Sequence, residues 1–375
     1  MDIKINDIFT KSNTEKLFKE KHDFFKHFHK DHIEFIKKSI DNARLCCDLS
    51  YAKATFKCPL CGELDYRPVS CKSKFCSSCG KLYAEKWALK LSQDMIDKKH
   101  RHILFTFPDF LWKYFLSKRY GPTLLSNHIN QLFKEWFKKH KIKYYGLVIT
   151  IHSFGRDSSF HTHFHVIISL GGFKEDLTWK KLEYFEPKFF NPSWKFLVLQ
   201  TIKSLYPNSK KAMKAISNAY SKEFYVALKG QPIKKDLKSI EYIGRYLMRT
   251  AIAEYRITYY DGKNVTFWYT DTETQKKVTL TLSTIEFMTR LVLHIHPKNF
   301  KAIRRFGFYA RNINSFLKDT ISLFKRKFLF KRKLPTWAER LFAQYGKVKL
   351  ICPNYNIRME LFEFSHKKYG VYSYK

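Results

Sequence analysis

Two C-x-x-C pairs, Cys58-Pro59-Leu60-Cys61 and Cys76-Ser77-Ser78-Cys79, stand fourteen residues apart and constrain this chain more than any other feature. Four thiolates at that spacing can surround one tetrahedral zinc, and such a zinc folds a small module outright. Pro59, with Gly62 and Gly80 one residue beyond each pair, suits tight turns that aim backbone amides at sulfur. Of the eight cysteines, Cys71 offers a substitute ligand, while Cys46 and Cys47 lack a clear partner pair. Lys72, Lys74 and Lys81 beside the ligands suit contact with DNA, or serve only to solvate the surface.

Charge narrows the function. Seventy Lys and Arg face 33 Asp and Glu, a formal net charge of +37 that attracts polyanions and would repel itself without them. A low-GC codon bias would raise Lys, Phe, Tyr and Ile together, but gives no reason for acidic residues to be scarce. Nucleic acid is therefore the expected partner and a membrane is not, since apolar runs such as 147–151 are far too short to span a bilayer. The N-terminus alternates charged and polar residues without the apolar core of a signal peptide, so a cytoplasmic, nucleoid-associated protein with reduced cysteines is expected.

Four segments follow from the patterning. Residues 1–45 read as a basic helical segment, with Phe18, Phe24, Phe25, Phe28, Ile33 and Ile36 among Lys, Glu and His. Its His22, His27, His29 and His32 read as solvated. Residues 46–100 hold the cysteines and a helical stretch around Trp87, Leu89 and Leu91. Residues 101–260 alternate short β-branched or aromatic runs (102–107, 145–152, 163–170, 223–228) with helical patterns at 125–140 and 236–254. Residues 261–375 begin with strands at 264–271 and 277–282, the first preceded by an Asp261-Gly262 turn, and a helix at 283–294; the stretch beyond Lys318 is basic and aromatic.

Two constellations carry chemistry. In Phe160-His161-Thr162-His163-Phe164-His165-Val166 the period of two puts His161, His163 and His165 on one strand face. Neutral imidazoles hold a divalent metal well, and a metal there polarises a phosphodiester oxygen. A third ligand is available from His161 or from His152, which a hairpin over Gly155–Ser159 would fold back alongside. The second constellation is Tyr242-Ile243-Gly244-Arg245-Tyr246, where a spacing of four sets both phenols one helical turn apart, with Arg245 and Arg249 as neighbouring cations. A phenol beside a metal can attack phosphorus. Gly244 weakens a helix and asks for a close-approach reason.

Together these motifs resemble the HUH-type, two-tyrosine rolling-circle transposases of bacterial insertion sequences with an N-terminal zinc-binding domain. The resemblance runs through the cysteine module, the strand from His102 to Pro108, His152 to Arg156, His161 to Gly172, Glu241 to Arg249, His296-Pro297-Lys298 and Arg304 to Phe308. It implies an α/β (α+β) fold: a ferredoxin-like or RRM-like antiparallel palm, with an N-terminal helical and zinc-binding module and a basic C-terminal extension. It implies that His163 and His165 bind Mg²⁺ or Mn²⁺ and that Tyr242 and Tyr246 are nucleophiles. Because the cysteines stand apart from the histidines, the zinc module with the basic N-terminal helix is expected to read the element end as a hairpin or short duplex rather than perform chemistry. The partner implied is single-stranded DNA, and no nucleotide cofactor is needed because a 5′-phosphotyrosine keeps the bond energy. Arg245, Arg249, Arg156, Lys72 and Lys74 are the expected DNA contacts. Two departures stand out: Arg156 occupies a position where Gln is common, and Cys352-Pro353-Asn354-Tyr355 lacks the second cysteine of a C-x-x-C, which speaks against a second zinc. A replication initiator or relaxase with the same chemistry, and a non-catalytic zinc protein that binds DNA, are the rival readings.

Overall fold

The alternation around the histidines extends in both directions in the computed structural model. It describes residues 3–209, 213–214, 216, 224–228, 232–233, 244, 250–271, 274–313, 315–324 and 350–374. β4 (Tyr144–Phe154) and β5 (Phe160–Phe173) form a long antiparallel hairpin, closed by a loop in which Asp157 Oδ1 accepts from the Ser159 amide at 3.1 Å. β3 (His100–Phe105) pairs with the other edge of β5, β7 (Pro232–Ile233) extends β3, β11 (Ile303–Gly307) extends β4, and β6 (Trp179–Lys181) pairs with the end of β5. Every ladder in this sheet is antiparallel.

Strand period decides the two faces. Leu147, Ile149, Ile151, Phe164, Val166, Ile168, Ile103 and Phe105 point to one core, which α4 (Gly121–Lys139) and α5 (Pro187–Leu205) cover. α5 has no counterpart among the sequence expectations; Pro187 opens it, where proline is tolerated, and Pro192 lies inside it. An internal proline costs a helix about 3 kcal/mol, yet Phe190, Trp194, Val198 and Ile202 recur every fourth residue and are fully buried. At roughly 1.5–3 kcal/mol per buried large apolar side chain, packing overrides propensity. On the opposite face Val148, Ile167 and Phe173 pack beneath Trp87 and Leu91 of α3 (Ser77–Asp94) and Leu317 and Ile321 of α7 (Ser315–Phe324).

The four linear segments do not become four separate cores. Leu17 of α1 (Lys11–Glu20) and Ile36 and Ile40 of α2 (Lys30–Arg44) share a core with residues far along the chain. These partners are Val265 and Phe267 of β9 (Asn264–Thr270) and Phe287, Met288 and Leu291 of α6 (Thr284–Val292). β8 (Ile257–Tyr260), β9 and β10 (Lys277–Ser283) make a three-stranded sheet over this core. Likewise β1 (Ala52–Lys57) pairs on one side with β2 (Leu64–Pro68) and on the other with β12 (Glu360–His366), which β13 (Gly370–Ser373) extends. The expected C-terminal extension is thus divided among all three sheets. Most of the helix expected over 236–254 lies outside the described residues: Gly244 is helical, but 250–253 are not, and Glu254 opens a short 3-10 turn. The strand expected over 223–228 is described from Phe224 on and is reduced to a single bridge between Val226 and Phe105. No helix among the described residues is long and apolar enough to cross a membrane.

His32 departs from the solvated reading. It is 5% exposed, and its Nε2 donates to the Ile295 carbonyl at 2.7 Å. Burial lowers its pKa from 6.5 to about 4, so the unfolded chain takes up a proton near pH 6.5 that the folded chain refuses until about pH 4. The stability held by neutral His32 is complete above pH 6.5 and declines as pH falls toward 4, by roughly 3 kcal/mol at the lower end. Urea midpoints of wild type should fall through this window, and the fall should be shallower in His32→Gln. Parallel profiles would refute the assignment.

Candidate metal and nucleic-acid site

β4 and β5 bring His152 directly opposite His163 in the ladder, with Thr150 opposite His165. One ring nitrogen from each of His152, His163 and His165 lies within 4.8 Å of the others, and all three residues are buried. His163 Nδ1 sits 3.0 Å from the His161 carbonyl, which can only accept, so Nδ1 carries the proton and Nε2 presents a bare lone pair. That lone pair faces His165 Nε2 at 3.1 Å, while His165 Nδ1 shares a 2.8 Å hydrogen bond with His102 Nε2. Two imidazole nitrogens at about 2.0–2.1 Å from one ion lie near this separation, so the donor set fits a divalent cation.

Of the two candidates for a third ligand, His152 lies with His163 and His165, and His161 does not. His161 instead stacks on Trp112, with ring centroids 4.1 Å apart and planes at 21°, and contributes its carbonyl to His163 rather than its ring to the cluster. His102 is a residue the sequence reading missed. It lies on β3 opposite Ile167, two residues along the ladder from His165, and only this β3–β5 register reveals that the two rings meet. A hydrogen-bonded partner of this kind fixes the tautomer and ring orientation of a ligand.

The cysteines regroup. Cys58 and Cys61 are not gathered with Cys76 and Cys79. The first cluster is Cys46, Cys71, Cys76 and Cys79, with Cys79 Sγ 3.7 Å from both Cys46 and Cys71. Amide N–H groups of Cys71 and Ser73 point at Cys46 and Cys71 sulfurs at 3.3 and 3.4 Å. Four converging thiols fit a tetrahedral zinc. The second cluster is Cys58, Cys61 and Cys352.

Gly62 does turn with φ of +76°, but Gly80 is helical, and its role is different. A Cβ there would meet Thr250 Cγ2 at 2.6 Å and the Lys74 carbonyl at 2.7 Å; a Cβ on Gly244 would meet Ala88 Cα and Cβ at 2.7 Å. Residues 244 and 250 therefore both press against α3, the helix that begins at the first cysteine cluster and lies over the histidine-bearing sheet face. Tyr242, Tyr246, Arg245 and Arg249 lie outside the described residues.

A cleft of about 400 Å³ runs from Cys71, Lys72 and Lys74 past Thr250 to His152, with His296 on its wall. Lys74 also lies 4.3 Å over the Tyr83 ring. Arg156 stands apart from this cleft, donating to the Thr270 carbonyl at 3.1 Å. Behind the wall, Arg119 is buried and donates to the Leu293 carbonyl at 2.7 Å, and burial lowers its pKa to about 10.

Comparison with known proteins agrees with this layout. A family model described as “Putative transposase” (Y2_Tnp) matches residues 146–315, and one described as “Transposase zinc-binding domain” matches residues 17–107, which contain the four-cysteine cluster. The chain is 28% identical over 268 residues to the transposase for insertion sequence element IS801 of Pseudomonas savastanoi pv. phaseolicola, covering 68% of this chain and 64% of that one. It is 23% identical over 275 residues to “Putative transposase y4qJ” of Sinorhizobium fredii, covering 67% of this chain and 68% of that one. The first match thus spans less than two thirds of its relative's length. No solved structure matches.

Proposed function

Because the chain belongs to the transposases that carry an N-terminal zinc-binding domain, we propose that it nicks single-stranded DNA and transfers the strand through a tyrosine, Tyr242 or Tyr246. The observation that carries this reading is the convergence of three buried imidazoles, His152, His163 and His165, on one point of the sheet. A divalent ion such as Mg²⁺ or Mn²⁺, when bound there, would polarise the scissile phosphate and offset the charge of its transition state.

The remaining work falls to the chain. His102 and the His161 carbonyl orient the ligand rings. The tyrosine gives up its phenolic proton, its oxygen bonds to phosphorus, and the bond to the 3′ oxygen breaks. That oxygen takes a proton and leaves as a 3′-hydroxyl, with the 5′ end held as a phosphotyrosine. The reverse step on a second strand completes the transfer without nucleotide hydrolysis. Lys72 and Lys74 on the cleft wall suit the phosphates of a strand that reaches the histidines from the zinc module.

The test uses 5′-labelled and 3′-labelled single strands carrying element ends, with Mn²⁺ and the full chain. A covalent adduct that carries the 3′ label, with the 5′ label released on a fragment ending in a 3′-hydroxyl, lost on chelation and mapped by mass spectrometry to the 242–246 peptide, is the expected result. Stable DNA binding without any adduct would move the protein to the non-catalytic class.

The contact between Gly244 and α3 adds a prediction. Gly244→Ala gains about 1 kcal/mol of helix propensity, but a Cβ driven into Ala88 costs about 1–3 kcal/mol and shifts the tyrosine segment. A shift near 1 Å costs roughly 10²-fold in rate. Adduct formation should fall by about that factor with Mn²⁺ affinity unchanged, and Ala88→Gly in the same chain should restore part of it. An unchanged rate in Gly244→Ala would show that this contact does not position the nucleophile.

A further inference from the structure

The second cysteine cluster joins parts of the chain that lie about 290 residues apart, and none of the matched family regions includes Cys352. Cys61 and Cys352 sulfurs are 3.4 Å apart, and those of Cys58, Cys61 and Cys352 lie within 4.8 Å of one another. The two loops that deliver them are built alike. Cys58 N–H donates to the Glu63 carbonyl at 2.8 Å, and Gly62 N–H to the Cys58 carbonyl at 3.0 Å. Cys352 N–H donates to the Ile357 carbonyl at 2.8 Å, and Asn356 N–H to the Cys352 carbonyl at 2.9 Å. Gly62 and Asn356 hold the same left-handed turn, φ +76° and +52°.

This local repeat puts Cys352 in the place of Cys58 and Tyr355 in the place of Cys61. The fourth thiolate of a tetrahedral set is therefore replaced by an aromatic residue that is 54% exposed, and Asn354 Nδ2 lies 3.8 Å from Cys61 Sγ. Phe56 and Met359 close the apolar side of the site, and β1 and β12 pair immediately beside it. Paired knuckles have no other evident reason to face one another across so small a core.

We propose that Cys58, Cys61 and Cys352 form a second zinc site with three thiolates and an exchangeable oxygen ligand, so that an open-sided ion clamps the C-terminal hairpin to the zinc module. Three thiolates leave the zinc one ligand short of the closed Cys₄ set of structural sites, and an ion with a solvent-facing position exchanges more readily. The four-cysteine cluster is the permanent ion and this one is the releasable one. The claim stands apart from the cutting chemistry and survives its failure.

The experiment is zinc stoichiometry and release on the full chain, purified under reducing conditions. Elemental analysis and native mass spectrometry should give two zinc ions per chain. A colorimetric zinc chelator should remove one at least about tenfold faster than the other. Cys352→Ser should retain one zinc, released slowly. Tyr355→Cys supplies the missing thiolate without removing any ligand, so it should keep two zinc ions and convert the fast release to slow; this arm stands even if Cys352→Ser fails to fold. One zinc per chain in both wild type and Tyr355→Cys would overturn the proposal, as would a Cys61–Cys352 disulfide in the reduced protein. Two ions released at equal rates would refute the open fourth position.

Discussion

Replacing His152 with alanine is expected to abolish metal-dependent cleavage, while His161→Ala leaves metal binding in place. His152 reaches the cluster because the β4–β5 ladder sets it opposite His163, and it is 3% exposed at the end of the cleft. Loss of the ion removes several kcal/mol of transition-state stabilisation, and each 1.36 kcal/mol is tenfold in rate, so the fall should be about 10³-fold or more. Calorimetric Mn²⁺ binding should weaken in parallel. His102→Ala removes only the partner of His165 Nδ1 and should cost about 10–100-fold, the range for such outer partners. Equal effects of His152→Ala and His161→Ala would mean that the cluster does not hold the ion as drawn.

The double substitution Tyr242→Phe, Tyr246→Phe is expected to leave DNA bound and uncut. Phenylalanine keeps ring volume and packing but has no oxygen to bond to phosphorus, so the covalent adduct should fall by more than about 10³-fold while gel-shift binding persists. Each single variant should still nick through the remaining phenol but fail to complete transfer, since one linkage cannot be held while a second is made. The adduct surviving in the double variant would dismiss both tyrosines. Complete loss in one single variant, with no effect in the other, would reduce the mechanism to one nucleophile.

What was legible in the chain follows the range of the physics involved. The faces of β5 depend only on its own period of two, so His163 and His165 are visible from ten residues of sequence. His152 needs only a hairpin whose loop carries Gly155, Asp157 and Ser159. His102 depends on strand register, which no local pattern encodes, and its contact with His165 stays hidden until β3 and β5 are paired. Cysteine pairing fails for a related reason: each C-x-x-C announces a knuckle but not its partner. Proximity in sequence favoured Cys76 and Cys79 for Cys58 and Cys61, whereas the fold supplies Cys352. Gly80 looked like a turn residue because it follows Cys79, yet its reason is the close approach of Thr250 and the Lys74 carbonyl. α5 was not foreseen; it holds Pro192 inside it against the packing of four buried side chains.

The pairing of β1 with β12 sets a clock on biosynthesis. Ala52 finds its ladder partner, His366, only about 300 residues later. At roughly 5–20 residues per second a ribosome needs about 15–60 s to cover that interval. During it β1 offers β2 one edge and leaves the other unpaired, a free strand edge of the sort that recruits foreign strands. A message cut short before codon 360 would leave that edge open for good, so decayed gene copies should yield aggregating products rather than competitors of the intact protein.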